Sequence, residues 1–216
     1  MGGLSGVVDL VVPRRCVGCG GGASGPWCDA CARAAERLAL VDFGYTVLDA
    51  GVVAVGAYAY AGVVAAAIRA IKVGGAFAAA APLGAVLRAR LRLPAPGSDL
   101  AVTWVPSTRR RRRQRGAEIP RLLAGHGATA LLVRVGERPD QTALGAAARR
   151  ASPAGVFAPT GPVPPAVLLV DDVRTTGGTA AAAAAALRSA GARRVLVATL
   201  AVGGDEARAA TTGRGA

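Results

Sequence analysis

The stretch that most constrains the fold lies at residues 167–192, VLLVDDVRTTGGTAAAAAAALRSAGA. Val167, Leu168, Leu169 and Val170 form an unbroken aliphatic run, as expected of a central parallel strand covered on both faces. Residues 179–190 contain an alanine run at 180–186 and predict a helix, for which Gly191 is a fitting C-terminal stop. A strand passing into a helix through a short turn predicts an α/β protein with a parallel sheet flanked by helices.

The turn carries the chemistry. Thr175, Thr176, Gly177, Gly178 and Thr179 stand at the helix N-terminus, where unpaired backbone N–H groups and the positive end of the dipole attract an anion. The glycines let the backbone curl around a phosphate and the threonines add hydroxyl donors. The GK[ST] of a P-loop and the GxGxxG of a dinucleotide site are both missing, which disfavours those two nucleotide-binding classes. Asp171 and Asp172 immediately precede the turn. Acids beside a phosphate site are costly unless they hold something else, and the vicinal hydroxyls of a ribose are natural donors to them. The alternative is that the acids only cap the helix and solvate the turn.

Cys16, Cys19, Cys28 and Cys31 fall within one segment, CVGCGGGASGPWCDAC. Two Cys-x-x-Cys pairs around a short Gly-rich loop match zinc-knuckle spacing, against the alternative of two disulfides or four unrelated thiols. Four thiolates leave no open coordination position, so the predicted zinc is structural and folds a segment too small to have its own core. We therefore expect a zinc-knuckle segment at 1–45 and an α/β domain at 46–216.

Between these motifs, residues 51–60 read as strand, 62–73 as a helix closed by Gly74 and Gly75, and 77–93 as a helix stopping before Pro94. Residues 101–105 suit a short buried strand. Pro106, Ser107 and Thr108 suit the turn at its carboxyl end, the edge where open α/β sheets bind ligands. Residues 122–125 continue a helix, and 129–133 read as another strand. His126, the sole histidine, sits in a turn and is expected to be exposed or capping.

The formal net charge is +13, from 26 basic and 13 acidic residues, and Lys72 is the only lysine. Such a balance attracts polyanions, although abundant Ala, Gly and Arg also fit a compositional bias. Arg109, Arg110, Arg111, Arg112, Arg113 and Arg115 form the densest run. They read either as a solvated face or as contacts to phosphate or nucleic acid. No aromatic residue interleaves with them, so base stacking has no support there. Residues 50–68 carry no charge, but three glycines and a change of period favour a buried strand and helix over a membrane span. With Asp9 interrupting the mildly apolar start, no secretory signal is expected, and the predicted location is cytoplasmic.

LLVDDVRTTGGT resembles the phosphoribosyl pyrophosphate motif of type I phosphoribosyltransferases. Combined with the four-cysteine segment, the chain resembles the ComF family, phosphoribosyltransferase-like proteins associated with competence and DNA uptake. Further matches lie at YAYAGVVAAAIRAIKVGGAF, WVPSTRRRRRQRG, and LVRVGERPDQTALGAAARR followed by GVF, so the resemblance spans roughly residues 13–201. The family pattern continues Arg-Gly with Phe-Asn-Gln-Ala, whereas Gly116 is followed here by Ala117, Glu118, Ile119 and Pro120. Ser107 and Thr108 stand where the family often has leucine and histidine.

The resemblance implies a type I phosphoribosyltransferase-like fold in which Asp171 and Asp172 are catalytic and bind the ribose hydroxyls. Thr175, Thr176, Gly177, Gly178 and Thr179 would bind the 5′-phosphate, and Pro106, Ser107 and Thr108 would shape a pyrophosphate loop. The stretch 134–141, with Arg134, Arg138 and Gln141, would be a mobile lid. It also implies Mg²⁺ with the sugar phosphate, and single-stranded DNA with competence or recombination proteins as partners. The acceptor side, residues 195–204 (VLVATLAVGG), is bland. An enzyme and a non-catalytic binding module both fit.

Overall fold

The structure, a computed structural model, describes residues 15–94, 100–135 and 155–204. Helix α1 (Asp29–Glu36) follows the cysteine segment, and strands β1 (Thr46–Leu48) and β2 (Val52–Ala59) lead to α2 (Gly62–Lys72) and α3 (Ala80–Arg90). Then come β3 (Ala101–Trp104), the short helices α4 (Arg109–Arg115) and α5 (Ile119–Ala124), and strands β4 (Leu132–Arg134) and β5 (Phe157–Pro159). Strand β6 (Ala166–Arg174), helix α6 (Gly178–Ser189) and strand β7 (Arg194–Val202) follow.

Five strands form one sheet in the order β1-β2-β7-β6-β3. Strands β2, β7, β6 and β3 run parallel, while the edge strand β1 is antiparallel to β2, so the sheet is mixed rather than purely parallel. The reason is local: only a short 3₁₀ turn, Asp49–Gly51, separates β1 from β2, too few residues for the crossover a parallel pair requires. Strand β4 pairs with β5 in a separate two-stranded ladder.

The aliphatic run of β6 is buried on both sides, as its composition demands. Leu168 and Val170 pack with α2, α3 and α5, whereas Val167 and Leu169 pack with α6 and with Leu132 and Phe157 of the small ladder. Alternation of side chains along the strand assigns these two groups to opposite faces of the sheet. The charge-free stretch 50–68 resolves into β2 and the start of α2. Among the described residues no helix is long and apolar enough to cross a membrane.

The cysteine segment shares a core with the sheet domain. Cys16, Trp27, Cys31 and Ala35 are buried in the same cluster as Ile68 and Ile71 of α2, and Trp27 meets Tyr58 of β2 edge to face with ring centroids 5.8 Å apart. Backbone bonds from Leu40 N to Ala57 O and from Ala59 N to Leu38 O tie the exit of α1 to β2.

Candidate functional site

The chain after β3 turns to helix α5 on one face of the sheet, and the chain after β6 turns to α6 on the other. Diverging connections between neighbouring parallel strands open a crevice at their carboxyl ends, the usual ligand position in α/β sheets. A pocket of about 280 Å³ occupies this crevice. It gathers Asp171, Asp172, Thr175, Thr176, Gly177, Gly178 and Thr179 with Pro106, Ser107 and Arg134, all singled out from sequence. Thr108 does not line it; its hydroxyl accepts from Arg111 N at 3.2 Å and caps α4. Arg138 and Gln141 lie outside the described residues, and Arg134 belongs to β4.

The acids sit in the strand and not in the turn, because the β6–β7 ladder continues to Arg174 opposite Val202. Asp172 forms an ion pair with Lys72 Nζ at 2.7 Å, and its backbone N–H donates to Asp171 Oδ1 at 2.8 Å. Burial is the largest influence on Asp171 and, with the neighbouring Asp172 carboxylate, pushes its carboxyl up to about 8; the Asp172 N–H, Lys72 and Arg134 only partly offset this.

Helix α6 opens on Gly177 at φ 76° with no side-chain cap for its first N–H groups, and its first turn, Gly178 to Ala180, lines the pocket with the acids. Gly177 is buried, and a Cβ there would collide with Leu48 of β1. This position therefore favours glycine by its backbone angle, and any side chain there would also have to displace the end of Leu48. Thr175, Thr176, Gly178 and Thr179 are exposed around it.

Five cationic side chains, Lys72, Arg111, Arg115, Arg134 and Arg174, line the pocket against the two aspartates. Arg134 is fixed from two sides: its Nε donates to Pro106 O at 3.0 Å, and its guanidinium lies 4.7 Å from the Phe157 ring centroid. Arg174 is 3% exposed and donates to Gly44 O at 2.9 Å. The arginine run divides by helical geometry. Arg111 and Arg115, four apart, share the pocket face of α4, while Arg109, Arg110 and Arg113 are exposed and outside it.

Sequence reading missed Lys72 and Glu118. Lys72 lies 100 residues from Asp172, and its only signal was being the sole lysine. Glu118, the departure after Gly116, accepts a 2.9 Å hydrogen bond from the Ser107 backbone N–H. It thereby holds the turn after β3.

The four cysteines form a second centre. Their sulfurs all lie within 4.8 Å of one another, with Cys19 and Cys28 Sγ 3.8 Å apart. A tetrahedral zinc with Zn–S of about 2.3 Å places its sulfurs about 3.8 Å from each other, whereas a disulfide requires about 2.0 Å. The Gly18 N–H points at Cys16 Sγ at 3.4 Å, and a Cβ on Gly18 would come within 2.9 Å of Cys31 Sγ. Burial and the neighbouring thiols push Cys31 up to about 12, whereas at Cys16 burial is outweighed by hydrogen bonds, which hold the thiol at about 6; a bound cation would favour the thiolate at all four. The cluster could hold a zinc ion.

Fold and site together define an α/β protein with a mostly parallel sheet, a polar carboxyl-edge pocket and a four-cysteine segment capable of binding zinc. No family model and no curated protein matches the chain.

Proposed function

We propose that the carboxyl-edge pocket binds phosphoribosyl pyrophosphate and that the protein is a ComF-like phosphoribosyltransferase-type protein. One observation carries this reading: a single crevice pairs two aspartates with an uncapped, glycine-opened helix N-terminus. A sugar phosphate needs both parts, hydroxyl acceptors for the diol and N–H donors for the phosphate. The cations on the remaining walls suit the pyrophosphate, with Arg111 and Arg115 nearest by helical phase and Lys72 beside Asp172.

In transfer, the bond between the anomeric carbon and the pyrophosphate oxygen breaks, its electron pair leaves with pyrophosphate, and the acceptor's lone pair forms the new bond. The transition state is oxocarbenium-like, as in other glycosyl transfers. Asp171 and Asp172 would orient the diol and Lys72 and the arginines would hold the leaving charge, so catalysis would rest on fixed electrostatics. Mg²⁺, with its preference for oxygen donors, would be held beside the sugar phosphate by Asp171 once that carboxyl is deprotonated, and would neutralise pyrophosphate charge.

Calorimetry with phosphoribosyl pyrophosphate and Mg²⁺ tests the reading. We expect saturable heat with the wild type and its loss in Asp171→Asn combined with Asp172→Asn; no wild-type heat, or unchanged binding in the double variant, sinks it. Pyrophosphate release across a panel of bases and amines then separates enzyme from binder.

A second reading, single-stranded DNA binding in a competence or DNA-uptake role, is favoured by the exposed Arg109, Arg110 and Arg113 outside the pocket. Binding that is insensitive to salt would exclude phosphate contacts of this kind. We also propose that Cys16, Cys19, Cys28 and Cys31 hold one structural zinc per chain, which elemental analysis of purified protein measures directly.

A further inference from the structure

Helix α4 has a second side. Gly116 ends it at φ 73° with an N–H bond to Arg112 O, and the chain turns through Ala117 and Glu118 into α5. The corner leaves a concave surface of about 550 Å³ against Ala81 of α3, separate from the carboxyl-edge pocket. Its polar groups are Arg112, Arg121, His126 and Glu118.

Two of these cations are held in place. Arg112 Nη1 lies 3.7 Å from Glu118 Oε1, and the Arg121 guanidinium lies 5.7 Å from the centre of the buried Trp104 ring. Glu118 sets one negative charge, shared between Arg112 and the Ser107 N–H, against the two arginines, so the surface keeps a net positive charge. Basic groups that converge on one concavity and are pre-positioned lose less side-chain entropy on binding an anion than free surface arginines do.

We infer that this second concavity is an anion site for a compact phosphate or diphosphate, built from Arg112, Arg121 and His126. The assignment is independent of what the first pocket binds. The two sites share α4 as a wall, with Arg111 and Arg115 facing one and Arg112 facing the other.

His126, the only histidine, gives a single set of imidazole proton signals in the full chain. Titrating inorganic pyrophosphate should move those signals saturably, with half-saturation at millimolar concentration or below. Arg121→Gln should weaken the response about tenfold, the scale of one charge-assisted contact. Arg112→Gln should do likewise, and serves if the first variant misfolds. Lys72→Met, at a residue that lines the first pocket and not this concavity, should leave the His126 titration unchanged. Signals that stay fixed, drift linearly without saturation, or lose their response in Lys72→Met overturn the assignment. A response to a single-stranded oligonucleotide but none to pyrophosphate also overturns it, pointing to a polynucleotide surface instead.

Discussion

Asp171 and Asp172 are adjacent in sequence yet meet different partners. Asp172 is neutralised by Lys72, and Asp171 is left to burial and to the negative charge of its neighbour. An acid whose pKa is raised from near 4 to about 8 on folding keeps its proton longer in the folded chain. Between those values the folded state holds the extra proton, so its contribution to stability is full below about pH 4 and is lost as pH rises through about 8. The melting temperature should therefore fall from about pH 6 to about pH 8 more steeply in the wild type than in Asp171→Asn, as followed by calorimetry at matched ionic strength. Equal slopes would show that Asp171 does not titrate there. Gly177 supplies a second test at this scale. Gly177→Ala forces a side chain into positive φ and against Leu48, at a cost of about 2 kcal/mol or more in chemical denaturation, and it should also weaken sugar-phosphate binding. A stable variant with full affinity would mean that the turn is not held as described.

Among the elements, the cysteine segment and α4 are both held by partners outside themselves. The cysteine segment contributes Trp27, which is 8% exposed, to a core shared with α2 and β2, so losing its organising centre should disturb both. Cys31→Ser, or a strong chelator, should expose Trp27, seen as a red shift in tryptophan emission, with loss of several kcal/mol of stability. An unshifted spectrum after complete metal removal would show that the segment folds on packing alone. Helix α4 is only seven residues long and is anchored at its start by Thr108 and past its end by Glu118. Glu118→Gln keeps an acceptor for the Ser107 N–H but removes a negative charge beside the pocket, so anion affinity there should rise severalfold. Reduced affinity would mean that Glu118 organises the loop through its charge.

The whole molecule carries a net charge of +13, and five cations line the carboxyl-edge pocket against two aspartates. Anion binding at either site should weaken as salt rises, with the exposed α4 arginines more sensitive than the partly enclosed pocket. Neutralising Arg109, Arg110 and Arg113 together should flatten the salt dependence of any single-strand binding while sparing sugar-phosphate binding, since these three do not line the pocket. Parallel losses in both would tie the exposed arginines to the pocket.

Sequence alone determined what short-range chemistry dictates. The aliphatic run of β6 had to be buried on both faces, the alanine run had to be helical, and the acids and glycines had to lie near one strand end because they are within nine residues of one another. The four-cysteine cluster was legible for the same reason. Only the tertiary structure decided which distant groups face these. Lys72 reaches Asp172 across 100 residues, Glu118 takes the Ser107 N–H, and the arginine run splits between two concavities and solvent. Such pairings depend on the rotation of α2, α4 and α5 against the sheet and on the strand order. Packing of whole elements sets both, and no local periodicity records them.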